Sequence, residues 1–167
     1  MAVILVGFMG AGKTTVGRQL AAQLGVAHHD LDDLIVEAAG CSIPEIFAAR
    51  GDAGFRALEH ETLLNALDID GVLSTGGGAP VQPQNFALLK ASSAPVVLLE
   101  AKPATILQRI GADANRPLVQ ELGQAGLVAL QAQRDPRYHE LADLVIATDT
   151  LTPTEIALQI RDWLATR

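Results

Sequence analysis

Basic residues are scarce in this 167-residue chain: 12 lysines and arginines stand against 19 aspartates and glutamates, for a formal charge of −7. Proteins that hold nucleic acid by counterion release present a basic face, so this balance argues against a nucleic-acid partner. Cysteine is nearly absent as well. The single Cys41 cannot close an intramolecular disulfide, which leaves no mark of an oxidising compartment, and it reads as a small buried apolar residue. No apolar run approaches the roughly 20 residues that a membrane-spanning helix needs. The opening Met1–Val6 run has no basic segment before it and leads into a glycine-rich turn rather than a cleavage site. These absences predict a cytoplasmic protein with no membrane partner. An acidic surface without an apolar stripe favours a monomer.

What is present is enough for one compact core. Hydrophobic residues make up 49% of the chain and its mean hydropathy is +0.27, far from the composition of disorder, so residues 1–167 are expected to form a single domain. Apolar runs of strand length recur at Val3–Val6, Val72–Leu73, Val96–Leu99 and Leu144–Ile146, with helix-period stretches between them. That alternation predicts an α/β protein, a parallel sheet covered by helices on both faces. Val16, Leu20 and Leu24 form one helical stripe that stops at Gly25. Thr152, Pro153 and Glu155 open a last helix with Ile156, Ile160, Trp163 and Leu164 on one face. The stretch from Ala112 to Gly126 has weak periodicity and reads as a surface segment, of the kind that serves as a lid.

The first polar signature is Gly7-Phe8-Met9-Gly10-Ala11-Gly12-Lys13-Thr14, a complete Gly-x-x-x-x-Gly-Lys-Ser/Thr between a buried strand and an amphipathic helix. Successive backbone N–H groups of such a loop converge on phosphate oxygens, and the helix N-terminus adds its positive dipole end. Gly10, Ala11, Gly12, Lys13, Thr14 and Thr15 are therefore the candidate nucleotide cradle. Lys13 would reach the β- and γ-phosphates and the Thr14 hydroxyl would ligate Mg²⁺. This motif implies a bound nucleoside triphosphate but leaves the fate of its γ-phosphate open.

Three carboxylates, Asp30, Asp32 and Asp33, follow at the end of a second short strand. Ligands of open parallel sheets bind beyond the carboxyl ends of the strands, so Asp30 and Asp32 are expected to face the crevice. Asp30 would hold water on Mg²⁺ or take an acceptor proton, and Asp32 would bind substrate hydroxyls. Asp33 is read as the helix cap. His28 and His29 are adjacent and point to opposite strand faces, so they read as structural. Arg56 has Glu59 three residues on, close enough to orient its guanidinium. Arg109, Arg116 and Arg134 are the other arginines placed where a carboxylate or phosphate could be gripped. Gly76, Gly77 and Gly78 follow a buried strand and let the backbone approach a ligand closely.

Taken in order, the P-loop, Asp30-Leu31-Asp32, the segment from Gly51 through Phe55-Arg56 to Glu59, Gly76-Gly77-Gly78, Arg116-Pro117 and Arg134-x-Pro-x-Tyr138 resemble the shikimate kinases. These are small P-loop kinases related in fold to nucleoside monophosphate kinases. Asp52 stands where that family commonly has glutamate. The resemblance implies a three-layer α/β/α fold with a central parallel sheet, an acceptor-binding helical region at about 31–62 and a lid at about 111–126. It implies that Asp32, Arg56, Gly76, Gly77, Gly78 and Arg134 bind shikimate, with Arg56 and Arg134 on its carboxylate. It further implies Arg116 as the lid arginine, Arg109 against adenine, and Asp30 beside Mg²⁺ and the reacting hydroxyl. The expected reaction is transfer of the ATP γ-phosphoryl group to the 3-hydroxyl of shikimate. Two competing readings are a kinase for another small hydroxy acid such as gluconate, and a non-catalytic nucleotide-binding protein on the same fold.

Overall fold

The computed structural model describes residues 1–110 and 117–167. Five strands, β1 (Val3–Val6), β2 (His28–Asp30), β3 (Val72–Ser74), β4 (Val96–Glu100) and β5 (Leu144–Ala147), form one sheet in the order β2-β3-β1-β4-β5. Every pairing is parallel. The helices α1 (Lys13–Leu24), α2 (Leu31–Ala39), α3 (Ile43–Leu67), α4 (Pro83–Ala91), α5 (Pro103–Ile110), α6 (Pro117–Leu141) and α7 (Pro153–Leu164) supply the crossovers and cover the sheet, giving three α/β/α layers. All four residues of β1 and the first four of β4 are buried, as their unbroken apolar runs require of strands packed on both faces. The two edge strands are less buried: β5 buries only Ile146, and β2 buries none of its residues. β2 consists of three half-buried residues, His28-His29-Asp30, which is why its apolar signal is weak.

The register fixes where polar chemistry can gather. Asp30 pairs with Ser74, and Ser74 with Leu5, so β2, β3 and β1 end almost level. The segments that follow these neighbouring strands, the loops after β1 and β3 and the start of α2 after β2, therefore open at one edge. Among the described residues no helix is long and apolar enough to cross a membrane.

Two sequence expectations change. The cap of α2 is Asp30, whose Oδ1 accepts from the Asp32 backbone N–H at 3.1 Å, and Asp33 is an exposed residue of the first turn. β2 ends one residue before the helix begins, so the extended residue at the junction takes the cap. Residues 117–126, expected to lack regular structure, belong to α6, a helix opened by Pro117 and broken at Gly123 (φ 61°, ψ −177°). The break and a second glycine at 126 obscure the helical period. Arg116 and residues 111–115 of the expected lid lie outside the described residues.

The termini of α1 and α7 follow the sequence closely. Gly25 closes α1 in the left-handed conformation (φ 70°), and α7 begins with a full capping box in which Thr152 Oγ1 accepts from the Glu155 N–H. Ile156 and Ile160 of α7 are buried where α7 packs against α1. Replacing a threonine cap with alanine removes the acceptor for an end-of-helix N–H. Thr152→Ala should therefore lower the unfolding free energy by about 1 kcal/mol in a urea titration, with the cleft chemistry intact.

Candidate active site

A cleft of about 1230 Å³ opens at the carboxyl edge of the sheet, and the loops after β1 and β3 and the start of α2 converge on it. The loop after β1 holds Gly10 and Gly12 with φ of 77° and 99°, left-handed conformations that a Cβ would strain. Gly12 thereby caps α1 without a side chain, and the first N–H groups of the helix open into the cleft. Lys13, only 8% exposed, bends back so that Nζ donates to the carbonyls of Gly7 and Phe8, both at 2.9 Å. Gly10, Ala11, Gly12, Lys13, Thr14 and Thr15 all line the cleft.

Thr14 Oγ1 donates to Asp30 Oδ2 at 2.7 Å, so the hydroxyl and carboxylate proposed from the sequence as metal ligands are neighbours. Both are hard oxygen donors of the kind Mg²⁺ takes, and the described residues hold no cluster of three or more His, Cys, Asp or Glu side chains that would cage a metal alone. A cation held by one or two protein oxygens together with substrate phosphates fits this donor set. Asp32, the second residue of α2, also lines the cleft; a Cβ at Gly76 would meet its Oδ1 at 2.8 Å.

The other side of the cleft is built from arginines that are each held in place. Arg56 Nη1 donates to both carboxylate oxygens of Glu59 at 3.0 Å, and Nε lies 3.5 Å from Asp52, so the shorter aspartate still reaches. Glu59 is 2% exposed, and burial, opposed by Arg56, pushes its carboxyl above the ordinary value. Arg134 comes from α6 and lies over the Phe8 ring, 5.8 Å from its centroid. The triple glycine sits between these two cations. A Cβ on Gly78 would stand 3.2 Å from Arg56 Nη1 and 3.7 Å from Arg134 Nη2, and one on Gly77 would stand 3.7 Å from Arg134 Nη1. None of the three has positive φ; a Cβ would instead crowd the Asp32 carboxylate at Gly76, the Met9 backbone N at Gly77 and the Arg56 guanidinium at Gly78.

Arg109 sits beside the P-loop. Its guanidinium donates to the Gly10 carbonyl at 3.2 Å and to Thr148 Oγ1 and O at 3.0 and 2.7 Å, tying the P-loop to the loop after β5. The structure thus brings together every described residue singled out from the sequence.

Other contributors were not singled out. Tyr138 is buried and its hydroxyl donates to the Gly77 carbonyl, anchoring the glycine loop, while the same phenol is hydrogen-bonded with Arg134. Ser74 Oγ donates to the Lys13 carbonyl at 3.1 Å and pairs with His28 Nε2 at 2.9 Å, which packs the start of α1 onto β3 and β2. His28 is thus structural, as expected, with burial holding its pKa below the usual value. Only the Tyr138 position carried a signal, as the end of the Arg-x-Pro-x-Tyr run.

Burial raises the Tyr138 pKa from 10.0 to about 12. The folded state therefore favours the neutral phenol, and the associated stability is complete below pH 10 and lost as pH rises toward 12. At neutral pH Tyr138→Phe should cost about 1 kcal/mol for the lost hydrogen bond. By pH 11 the wild type should have given up about 1 kcal/mol relative to the variant, measured as a shrinking gap between their urea midpoints.

The shikimate kinase family model matches residues 9–165. The chain is 48% identical to a shikimate kinase of Limosilactobacillus fermentum over 98% of its own length and 95% of the relative's. A Stenotrophomonas maltophilia shikimate kinase is 45% identical over 99% and 92% of the two chains. Among solved structures, the shikimate kinase of Acinetobacter baumannii in complex with shikimate superposes with a TM-score of 0.91 at 40% identity, covering 99% of this chain and 93% of that one. The shikimate kinase of Aquifex aeolicus gives a TM-score of 0.85 at 30% identity over 99% and 96%.

Proposed function

The chain belongs to the shikimate kinase family, and on that premise we propose that it transfers the γ-phosphoryl group of ATP to the 3-hydroxyl of shikimate, giving shikimate 3-phosphate and ADP. The observation that carries this reading is the convergence of Arg56 and Arg134 on Gly78 inside the cleft that also holds the P-loop lysine. Two planar cations facing one small volume suit a carboxylate held in two-point contact.

Residues 1–167 act as one monomeric kinase unit on small molecules, with 31–62 contributing the acceptor region and 111–126 the lid. Arg56 and Arg134 grip the acceptor carboxylate, the narrow Gly76–Gly78 loop lets the ring approach the backbone, and Asp32 takes the hydroxyls. The acceptor is thereby oriented with its reacting oxygen toward the P-loop. Asp30, beside the Thr14 hydroxyl, orients that oxygen or receives its proton. Lys13 and the N–H groups at the start of α1 oppose the charge on the transferring phosphoryl group, and Arg116 adds a second cation from the lid. Preorganised charge of this kind supplies most of the catalysis in phosphoryl transfer, which needs alignment more than covalent chemistry. Thr14 and Asp30 are the residues that would hold Mg²⁺, which when bound neutralises charge on the β- and γ-phosphate oxygens. Arg109, fixed by Thr148 at the outer end of the P-loop, contacts the adenine.

The test is ADP production from ATP with shikimate, with gluconate and with no acceptor, each with and without Mg²⁺. Strong dependence on both shikimate and Mg²⁺ is expected. Turnover with gluconate instead would overturn the acceptor assignment, and nucleotide binding without turnover would favour the non-catalytic reading. Lys13→Ala should fold yet lose roughly 10²-fold or more in kcat. Arg56→Ala should raise the KM for shikimate by roughly 10- to 100-fold, because a bound carboxylate loses a charged partner.

A further inference from the structure

Arg56 stands at the end of a file of polar side chains that leads away from the cleft into the packing between α3 and α4. Glu59 Oε2, which accepts from Arg56 Nη1, lies 3.4 Å from Asn85 Nδ2, and Asn85 Oδ1 lies 2.8 Å from His60 Nδ1. Asn85 is on α4 with no exposed surface, while its partners are on α3. A fully buried amide is tolerated when both of its ends are partnered, and here the partners also fix which way it points. The Glu59 carboxylate only accepts, so Nδ2 faces it. Oδ1 then faces His60, which carries its proton on Nδ1.

This arrangement gives Glu59 a donor on the side away from the cleft. Burial already disfavours its charged form, and Asp32 and Asp52 act in the same direction. With Asn85 in place, the carboxylate is held between an amide and a guanidinium and cannot turn without breaking one of the two bonds. Without it, Glu59 is free to rotate or to take up a proton, and Arg56 loses the fixed support that sets the direction of its fork.

We propose that Asn85 and His60 are positioning residues for acceptor recognition, acting through Glu59 to fix the direction in which Arg56 presents its guanidinium to the acceptor carboxylate. The inference rests on the assignment of Arg56 to that carboxylate. Neither Asn85 nor His60 lines the cleft, and neither touches the P-loop side of it. Their effect therefore falls on acceptor affinity and leaves nucleotide binding and the transfer step alone.

Steady-state kinetics with shikimate and ATP varied separately test this in Asn85→Leu, His60→Phe and His60→Asn. Asn85→Leu removes the amide while keeping the number and branching of side-chain heavy atoms and should raise the KM for shikimate about tenfold, with kcat and the KM for ATP within about twofold of wild type. His60→Phe should raise the same KM severalfold. His60→Asn should restore it, because the asparagine Nδ2 can stand near the position of the imidazole Nδ1. In an Arg56→Ala background, Asn85→Leu should add nothing further, since residues acting through one another are not additive. The proposal fails if Asn85→Leu or His60→Phe changes kcat and both KM values together, if His60→Asn behaves like His60→Phe, or if the Asn85 effect persists in full without Arg56. Should Asn85→Leu not fold, the two His60 variants decide alone. An Arg56→Ala enzyme with unchanged KM for shikimate would sink the carboxylate assignment and the proposal with it. A raised KM in Arg56→Ala beside wild-type values in folded Asn85→Leu and His60→Phe would remove only the positioning role.

Discussion

The ammonium of Lys13 is an almost buried cation, and much of the site's geometry follows from how the fold accommodates it. A charge with so little access to water needs oxygen atoms, and the nearest available ones are the carbonyls of the loop that precedes it. Gly7 and Phe8 turn theirs inward to accept from Nζ at 2.9 Å, and the chain can turn this way because Gly7 sits at φ 141°. A side chain at Gly7 would also strike the Leu99 carbonyl at 2.3 Å, so the loop is pressed against β4 as it leaves β1. The Lys13 backbone carbonyl is held in turn by Ser74 and, through it, by His28. Lys13 thus joins the start of α1 to the end of β1 through its ammonium, and to the end of β3 and the first residue of β2 through its backbone carbonyl.

The same logic governs the other cations. A chain of formal charge −7 concentrates Lys13, Arg56, Arg109 and Arg134 around one cleft, and cations so gathered repel one another. Each is offset by a different device. Arg56 has a buried carboxylate, Arg134 has an aromatic face and the Tyr138 phenol, and Arg109 has backbone carbonyls and the Thr148 hydroxyl. Among the described residues only Arg56 of the three arginines is held by carboxylates, Asp52 and Glu59, so Arg109 and Arg134 keep their charge for a ligand although Asp30, Asp32 and Glu121 line the same cleft. An anionic phosphate chain at one end and an anionic acceptor at the other therefore meet prepositioned charge.

How much of this was legible in the sequence depended on the distance over which each feature is decided. The P-loop, the α1 and α7 termini and the Arg56–Glu59 pair are set by residues within a few positions of one another, and each is found where the pattern put it. The α2 cap went to Asp30 instead of Asp33 because it depends on where β2 stops, and that is set by pairing with β3. The helix from Pro117 was hidden by glycines that break its period. Tyr138 reaches Gly77 across 61 residues, and Asn85 reaches Glu59 across 26, so no local spacing announces either bond. An asparagine in a short helix with little segregation of polar from apolar residues looks like a surface residue. Only the packing of α4 on α3 makes it a buried donor.

Gly51 shows how a backbone feature with no chemistry of its own shapes the acceptor side. It interrupts α3 with φ 66° and ψ −175°, so that Ile43–Leu67 is two helical runs. In a straight helix Phe47 and Phe55 would lie about 12 Å apart along the axis, at 1.5 Å per residue. The break folds one run against the other and stacks the two rings with centroids 4.4 Å apart. Both rings line the cleft, and the Arg56 guanidinium lies 5.1 Å from the Phe55 centroid. An apolar wall therefore stands directly beside the Arg56 cation. A small carbocycle bearing one carboxylate needs both walls at once, and a kinked helix supplies them from residues only nine positions apart. The glycine at 51 thus belongs to the pocket as much as the arginine does.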